Sequence, residues 1–249
     1  MTCGRVQQLR KITDKFEEIL TEKLFDGMTI AVGGFGIAGT PSTLIEIVRN
    51  SGVKDLTIVS NNMGIDGVGL GRLLENGQVS KVLASYIGEN KLFMEQYLTG
   101  KIEVEFVPQG TLAERIRSGG AGIGGFYTQT AVGTEIAEGK PTREINGKTY
   151  ILETAIESDI ALVKAHKADV EGNLRYRLAA RNFNPLVAQN GRTTFVEAES
   201  ILPRGEIGPD DFHTPGVFVH YITQSTVPSE IENVVNRPYP VREDVSQEA

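Results

Sequence analysis

The sequence contains little cysteine, no tryptophan and no long apolar run. Its 249 residues include one cysteine, Cys3, which excludes an internal disulfide framework and favours a reducing, cytoplasmic location. No run of about 18 apolar residues occurs, so we expect no membrane span. The first residues mix acidic and basic side chains and lack the apolar core of a signal peptide. With a formal net charge of -7, nucleic acid is not an expected partner.

Metal ligands are also scarce in this sequence. The histidines, His166, His213 and His220, lie far apart. None of them has another histidine or cysteine at a spacing typical of metal sites. We therefore predict no metal site.

A glycine-rich segment follows an apolar strand near the start of the chain. Residues 28–32 are predicted as a buried strand, and four of the residues 33–39 are glycines. We call residues 33–39 the glycine loop. Thr40 and Pro41 predict a helix start, with Thr40 as the N-cap and Pro41 at the first helical position. Because such a loop exposes backbone N–H groups, we expect it to bind anionic or carbonyl oxygens of a ligand.

Two nucleotide-binding patterns fit this segment badly. The glycine spacing is that of a dinucleotide fingerprint, but the next predicted strand, residues 56–60, is followed by Asn61-Asn62 and not by an acid for the ribose. A phosphate-binding loop would need a lysine, whereas Thr40-Pro41 follows the last glycine. An NAD-dependent oxidoreductase is therefore supported by the glycine spacing alone.

Predicted strands and helices alternate along the first half of the chain. This alternation indicates an α/β fold with a single open, mainly parallel sheet flanked by helices. The predicted strands are residues 28–32, 56–60, 81–87, 102–107, 151–155, 160–165, 174–176, 193–198 and 217–222, and the predicted helices are residues 42–49, 91–98, 112–118 and 180–189. We predict one domain over residues 1–222 and a solvated tail over residues 223–249.

Three further segments have their own patterns. Apolar residues from Val6 to Leu20 recur at helical spacing and predict an amphipathic first helix. Residues 118–141 are rich in glycine and short polar side chains and predict a long loop. Asn146-Gly147 predicts a turn between two strands.

Two glutamates precede an asparagine. Glu75 is predicted to end a short helix that has Asn76-Gly77 as its C-cap. Glu89 precedes Asn90, which is a predicted N-cap for the helix over residues 91–98. Both patterns favour a structural role for these residues over a nucleophile.

A set of motifs resembles those of the α subunits of family I coenzyme A transferases, over about residues 6–222. The first motif comprises Asp26-Gly27, Ile30-Ala31-Val32, Gly33-Gly34-Phe35, Gly39 and Pro41. The others are Ser60-Asn61-Asn62, Gly69-Leu70-Gly71, Ser85-Tyr86-Ile87-Gly88-Glu89-Asn90, Pro108-Gln109-Gly110-Thr111-Leu112-Ala113-Glu114-Arg115, Gly119-Gly120-Ala121-Gly122-Ile123, Phe126-Tyr127-Thr128, Ala161-Leu162-Val163-Lys164-Ala165, Gly172-Asn173 and Ala180-Arg181-Asn182-Phe183-Asn184.

The resemblance implies a transferase with coenzyme A as a substrate and no bound cofactor. In this family a glutamate in a Ser-Glu-Asn-Gly motif attacks the acyl-CoA, and that motif belongs to the β subunit. Neither Glu75 nor Glu89 follows a serine. We therefore expect the nucleophile on a β partner, in an α2β2 assembly.

Candidate site residues follow the predicted strands. Asn61 and Gln109 are candidate donors to an oxyanion or an acyl substrate, because ligands bind at the carboxyl ends of parallel strands. The alternatives are a turn cap for Asn61 and bracing of a helix start for Gln109. Candidates for binding coenzyme A or its acyl group are Gly33, Gly34, Phe35, Gly36, Ile37, Ala38, Gly39 and Asn62. For Lys164 and Arg181 we favour packing or a subunit contact.

The function that the resemblance implies is transfer of coenzyme A from succinyl-CoA to a 3-keto acid such as acetoacetate. One alternative is the α subunit of a 3-oxoadipate or acetate/acetoacetate transferase. A second, outside the enzymes, is a module that senses an acyl-CoA or a sugar phosphate. Gly124-Gly125 departs from the Pro-Ala that relatives often have, which leaves the substrate preference open.

Overall fold

The computed structural model describes residues 11–228. Its strands are β1 (Thr29–Val32), β2 (Leu56–Val59), β3 (Val79–Ala84), β4 (Glu103–Phe106), β5 (Gly125–Thr128), β6 (Thr142–Ile145), β7 (Lys148–Thr154), β8 (Ser158–Asp169), β9 (Leu174–Arg175), β10 (Gly191–Leu202) and β11 (Tyr221–Gln224). Its α-helices are α1 (Phe16–Glu22), α2 (Ser42–Ser51), α3 (Gly71–Glu75), α4 (Lys91–Leu98), α5 (Gln109–Gly120) and α6 (Asn184–Asn190).

The main sheet has eight strands in the order β11-β10-β8-β1-β2-β3-β4, with β9 paired to β8. Every pair along this path is parallel, and only β9 is antiparallel to its neighbour. The predicted mainly parallel α/β sheet is therefore confirmed. Because all these strands run the same way, their carboxyl ends meet at one edge of the sheet.

Helices cover both faces of the main sheet. Neighbouring strand residues alternate between two apolar cores: Ile30 and Val32 belong to one, and Ala31 belongs to the other. Helices α1 to α4 contribute side chains to the first core, and α5 and α6 contribute to the second. Burial on both faces explains the continuous apolar sequence of Ile30–Val32 in the central strand β1.

A second sheet of three antiparallel strands, β5-β7-β6, occupies part of the segment for which a long loop was predicted. That prediction is wrong for residues 125–128, which pair with β7. Residues 125–128 are a short Gly-Phe-Tyr-Thr strand within a glycine-rich segment, and the pairing partner lies more than twenty residues away, so the composition of the segment does not indicate the strand. The predicted turn at Asn146-Gly147 is confirmed, with φ values of 52° and 72°.

The first helix is shorter than predicted. It begins at Phe16, whereas Ile12 forms a β-bridge with Ile222 and the backbone N–H of Ile222 donates to Lys11. Pairing with β11 therefore overrides the helical spacing of the apolar residues before Phe16. Val6, the predicted beginning of this helix, lies outside the described residues.

The helix ends near the two glutamates agree with expectation. Asn90 accepts a hydrogen bond from Phe93 and caps α4, and Asn76 follows the last residue of α3.

At the carboxyl end of the described chain, β11 runs to Gln224, and the backbone N–H groups of Thr226 and Val227 donate to Thr43. The ordered body thus continues past residue 222, and residues 229–249 of the predicted tail lie outside the described residues.

Within the described part of the chain, none of the helices is both long and apolar enough to cross a membrane.

Candidate functional site

Polar residues follow four neighbouring strands at the carboxyl edge of the main sheet. The glycine loop follows β1, Asn61 lies just after β2, Ser85 follows β3, and Gln109 begins α5 after β4. The chain thus brings together the two candidate donors and the glycine loop, as the sequence predicted from the strand ends. It adds Ser85, which was predicted to lie inside a strand.

Asn61, Ser85 and Gln109 form a hydrogen-bonded group that we call the amide cluster. The Nδ2 of Asn61 donates to Ser85 Oγ at 2.9 Å and to Gln109 Oε1 at 3.0 Å. Ser85 Oγ lies 2.7 Å from Gln109 Oε1 and donates to it. Asn61 is only 3% exposed, whereas Ser85 and Gln109 are half-buried, so the cluster reaches from the interior to the surface.

The glycine loop fixes the orientation of the whole cluster. The backbone N–H of Gly36 donates to Asn61 Oδ1 at 3.2 Å, and a backbone N–H can only be a donor. The Asn61 Nδ2 must then face Ser85 and Gln109, which in turn must present its oxygen to Asn61. The reverse orientation of Gln109 would place two amide donors against each other.

This arrangement occupies the side-chain amide of Asn61 and, among the described residues, leaves the Nε2 donor of Gln109 unoccupied. Both N–H groups of Asn61 are occupied, so donating to a thioester oxygen would break one of these bonds. Gln109 accepts twice through Oε1, and within residues 11–228 its Nε2 has no hydrogen-bond partner. Gln109 is half-buried and therefore presents an available amide donor at this edge.

The glycine loop is a closed turn and not the open set of N–H groups that we expected. Phe35 and Ala38 exchange both backbone hydrogen bonds at 3.0 Å, with Gly36 at φ 59° between them. The N–H groups of Gly33 and Gly34 donate to Leu162 and to the side chain of Asn182. Most of the loop's donors are consumed by the protein itself.

Two of the loop glycines are required by close packing against this chain. A Cβ at Gly33 would lie 1.8 Å from Asn184 Oδ1, and one at Gly39 would lie 2.6 Å from the carbonyl oxygen of Ala180. The sequence interpretation assigned these glycines to the approach of a ligand. Here the groups that approach the backbone are Ala180 and the first residue of α6, Asn184.

The start of α2 already holds a carboxylate from this chain. Glu197 of β10 accepts from the backbone N–H of Leu44 at 3.0 Å and from Lys164 Nζ at 2.7 Å. Glu197 is 0% exposed and Lys164 is 3% exposed. Ser225 Oγ also contacts Glu197, and we call these three residues the ion-pair cluster. A helix start favours an anion, and here the protein supplies it.

The ion-pair cluster argues against a nucleotide phosphate at the start of α2. A phosphate bound at the start of α2 would meet the buried carboxylate of Glu197, and the two negative charges would repel. The helix begins at Ser42, as predicted for residues 42–49, but Pro41 is its N-cap residue and not its first helical residue, and Thr40 does not cap it. Thr40 instead donates to the carbonyl of Gly36.

The remaining candidates lie outside the amide cluster. Asn62 is buried, and its side chain accepts from the backbone N–H of Gly64. Phe35 is 52% exposed at the glycine loop. Glu75 and Glu89 are exposed, and neither hydrogen-bonds to the cluster residues.

Among the residues that the structure describes, no three or more His, Cys, Asp or Glu side chains form a group that could hold a metal ion. The Nδ1 of His213 accepts from the backbone N–H of Tyr176. Burial lowers the pKa of His213, and Arg181 and Arg175 lower it further. These contacts indicate a structural role for this histidine.

The comparisons with known proteins point to one family. A family model described as Coenzyme A transferase matches residues 13–225. A Bacillus subtilis (strain 168) protein, named as one subunit of a probable succinyl-CoA:3-ketoacid coenzyme A transferase, is 58% identical over 199 residues, which cover 80% of this chain and 84% of that protein. The corresponding succinyl-CoA:3-ketoacid coenzyme A transferase chain of Helicobacter pylori (strain J99 / ATCC 700824) is 55% identical, with coverages of 80% and 86%.

A solved structure has the same fold at low sequence identity. The acyl-CoA transferase from E. coli O157:H7, crystallised as a thioester complex with CoA, superposes with a TM-score of 0.74 at 20% identity. The match covers 88% of this chain and 48% of that one, so this chain spans about half the length of that protein.

Proposed function

This chain belongs to the coenzyme A transferase family, and we propose that it is the α subunit of a heteromeric 3-oxoacid coenzyme A transferase. The reaction that we propose moves coenzyme A from succinyl-CoA to a 3-keto acid such as acetoacetate. The names of relatives at 55% and 58% identity support this substrate pair. The observation that carries the proposal is the unused amide donor of Gln109 at the carboxyl edge of the sheet.

The chemistry needs a carboxylate nucleophile and a donor for an oxyanion. A glutamate carboxylate attacks the thioester carbonyl, and the coenzyme A thiolate leaves to give a mixed anhydride. The thiolate then attacks the glutamyl carbonyl of the anhydride, which releases succinate and leaves a glutamyl-CoA thioester. The 3-keto acid carboxylate reverses these two steps and departs as its coenzyme A thioester. Each attack places a negative charge on a former carbonyl oxygen.

We assign Gln109 to that oxygen and Asn61 to the support of Gln109. The Nε2 of Gln109 donates to the oxyanion, while Asn61 and Ser85 hold its Oε1. An uncharged amide suits this position because it leaves the attacking carboxylate's charge unneutralised. The glycine loop and Asn62 form the surrounding wall, with exposed Phe35 at its rim.

We place the nucleophile on a β partner. In the described part of the chain, no glutamate hydrogen-bonds to the amide cluster, and Glu75 and Glu89 are exposed. The name of each of these two relatives denotes one of the subunits of a transferase, which supports a second, different subunit. We further propose an α2β2 assembly in the cytoplasm, with coenzyme A as a substrate and no bound cofactor.

The experiment is reconstitution. The full chain is purified with and without its β partner, and transfer from succinyl-CoA is measured with acetoacetate, 3-oxoadipate and acetate as acceptors. We expect no activity from the chain alone and the highest kcat/KM with acetoacetate from the complex. Activity of the chain alone that Glu75→Gln or Glu89→Gln abolishes would place the nucleophile here, and a preference for 3-oxoadipate or acetate would select the alternative enzyme.

A sensing module predicts a different result. Such a module would bind an acyl-CoA without turnover, with or without a partner. Binding of succinyl-CoA by the complex with no transfer to any of the acceptors would overturn the enzymatic proposal.

A further inference from the structure

The segment from Leu178 to Asn184 supports the glycine loop and has an unusual backbone. Leu178 has φ 49° and Asn182 has φ 23° with ψ -122°. Residues other than glycine adopt such conformations rarely, and they persist only where the surrounding contacts fix them. At Asn182 these contacts are made by its own side chain.

The amide of Asn182 holds both arms of the glycine loop. Its Oδ1 accepts from the N–H of Gly34 at 3.2 Å, and its Nδ2 donates to the carbonyl of Ala38 at 3.0 Å. The same Nδ2 donates to Ala179, and the same Oδ1 accepts from Phe183. Asn182 thus anchors the base of the turn to its own segment.

The tip of the same turn is bonded to the amide cluster. Gly36, between the two arms, donates to Asn61 Oδ1, and Asn61 in turn holds Gln109. A continuous path of hydrogen bonds and one tight turn therefore runs from Asn182 to Gln109. If the arms were released, Gly36 would move and the orientation of Asn61 would no longer be fixed.

We infer that Asn182 is a positioning residue for the transfer reaction, acting through the glycine loop and Asn61 on the amide of Gln109. This inference rests on the proposed function. Asn182 lies more than 70 residues from Gln109 in the sequence, and its contacts join the segment before α6 to the loop after β1.

The test variant is Asn182→Gly. Glycine adopts the backbone conformation at this position without strain, so the fold is retained while the amide is lost. The matched control is Asn146→Gly, which makes the same change at a positive φ of 52° in the turn between β6 and β7. Thermal unfolding of both variants checks that the fold is intact.

Two measurements are made on the full chain expressed in its native host with its partner. The first is hydrogen exchange of peptides that cover residues 33–40. We expect faster exchange in Asn182→Gly and wild-type exchange in Asn146→Gly, because only the first variant releases Gly34 and Ala38. Unchanged exchange in Asn182→Gly would overturn the inference.

The second measurement separates positioning from general support. We expect Asn182→Gly to lower kcat by about 10- to 100-fold, with the KM for succinyl-CoA within a few-fold. In a Gln109→Ala background the same change should lower kcat less than about two-fold, because there is no amide left to position. An equal loss in both backgrounds, or a rise in KM with kcat unchanged, would contradict the assignment.

The inference and the proposed function fail differently. If the wild-type complex transfers coenzyme A to no acceptor, the proposed function fails, and the exchange comparison alone decides whether Asn182 holds the loop. If the complex is active and exchange is unchanged, only the inference fails.

Discussion

Two polar clusters bond to the segment that runs from the end of β1 into the first turn of α2. The amide cluster contacts this segment at Gly36, and the ion-pair cluster contacts it at Leu44. One cluster is neutral and leaves the Nε2 of Gln109 without a partner among the described residues. The other is charged, and Lys164, Glu197 and Ser225 satisfy one another.

This difference in charge and hydrogen bonding indicates that the two clusters have different roles, one in the fold and one in the reaction. The two buried charges of the ion-pair cluster bond to each other, and Glu197 also accepts from Leu44, so the pair stabilises a defined arrangement of its elements. The amide cluster is only partly buried, and the unused Nε2 of Gln109 can bind water in the absence of a ligand and a substrate oxygen in its presence. We therefore assign the ion-pair cluster to the fold and the amide cluster to the substrate.

The largest expected effect is on stability and concerns the ion-pair cluster. Glu197→Gln leaves Lys164 buried without a countercharge, which typically costs about 3–5 kcal/mol. The double variant Lys164→Met/Glu197→Gln removes both charges and should recover most of that loss, since Gln can still accept from Leu44. Urea unfolding of the complex measures both.

The same variants test whether the ion-pair cluster acts only in folding and the amide cluster in the reaction. We expect the folded fraction of Lys164→Met/Glu197→Gln to keep a kcat near that of the wild type. A double variant as stable as the wild type but without turnover would show that the ion pair takes part in the chemistry, and the comparison would then be wrong.

The next effect is on turnover and concerns Gln109. Gln109→Ala removes the proposed oxyanion donor, and loss of one such donor typically costs about 2.7–4 kcal/mol, or roughly a hundred- to thousand-fold in kcat. The KM for succinyl-CoA should stay within a few-fold, because the donor acts on developing charge. Steady-state kinetics measure both constants. Gln129→Ala, at an exposed glutamine, is the control and should match the wild type.

Ser85 should have a smaller effect. Ser85→Ala removes one of the two donors to Gln109 Oε1 and leaves Asn61 to hold it. One neutral hydrogen bond is worth about 0.5–1.5 kcal/mol, which corresponds to roughly a two- to ten-fold loss of kcat. Ser80→Ala, within β3, is the control. A loss as large as that of Gln109→Ala would make Ser85 itself the oxyanion donor.

The smallest effect is on the pH dependence of stability and involves neither cluster. The pKa of His213 is lowered in the folded state, so the unfolded chain binds more protons near its ordinary pKa of about 6.5. The stability that neutral His213 contributes is thus present above that pH and lost as the pH falls through the lowered pKa. The free energy of unfolding in urea should fall less between pH 7.5 and pH 5.5 in His213→Gln than in the wild type. An equal fall in both proteins would show that His213 does not contribute to the pH dependence of stability.

The sequence predicts the parts of the site that follow strands and misses the parts that come from elsewhere. Asn61 and Gln109 could be found because each follows an apolar run, and parallel strands place their carboxyl ends together. Ser85 was assigned to a strand that in fact ends at Ala84. A correct strand end would have placed Ser85 beside the other two residues.

Glu197, Asn182 and Asn184 could not be identified as contacts of the glycine loop or α2. They lie more than 140 residues from the atoms that they bond, and no local pattern encodes such pairing. The same limit explains the glycine loop. Its glycines were interpreted as room for a ligand, whereas Gly33 and Gly39 make room for side-chain and backbone atoms at and before the start of α6.

The fold was easier to predict than the contacts within it. The alternation of strands and helices is a local property of the sequence, and it was sufficient to predict the mainly parallel sheet. The three-stranded sheet was only half predicted, because β5 is a four-residue strand within a glycine-rich segment and pairs with distant β7. The bridge from Ile12 to Ile222 was hidden for the same reason.

The most direct test of the proposed division of labour is to trap the glutamyl-CoA thioester. The complex is mixed with succinyl-CoA, the thioester is reduced with borohydride, and peptide mass analysis of both chains locates the modified glutamate while quenched-flow sampling gives its rate of formation. We predict that the adduct lies on the β partner and forms roughly a hundred- to thousand-fold more slowly with Gln109→Ala than with the wild-type chain. An adduct on this chain, or formation at the wild-type rate in Gln109→Ala, would contradict the assignment of the amide cluster to the substrate.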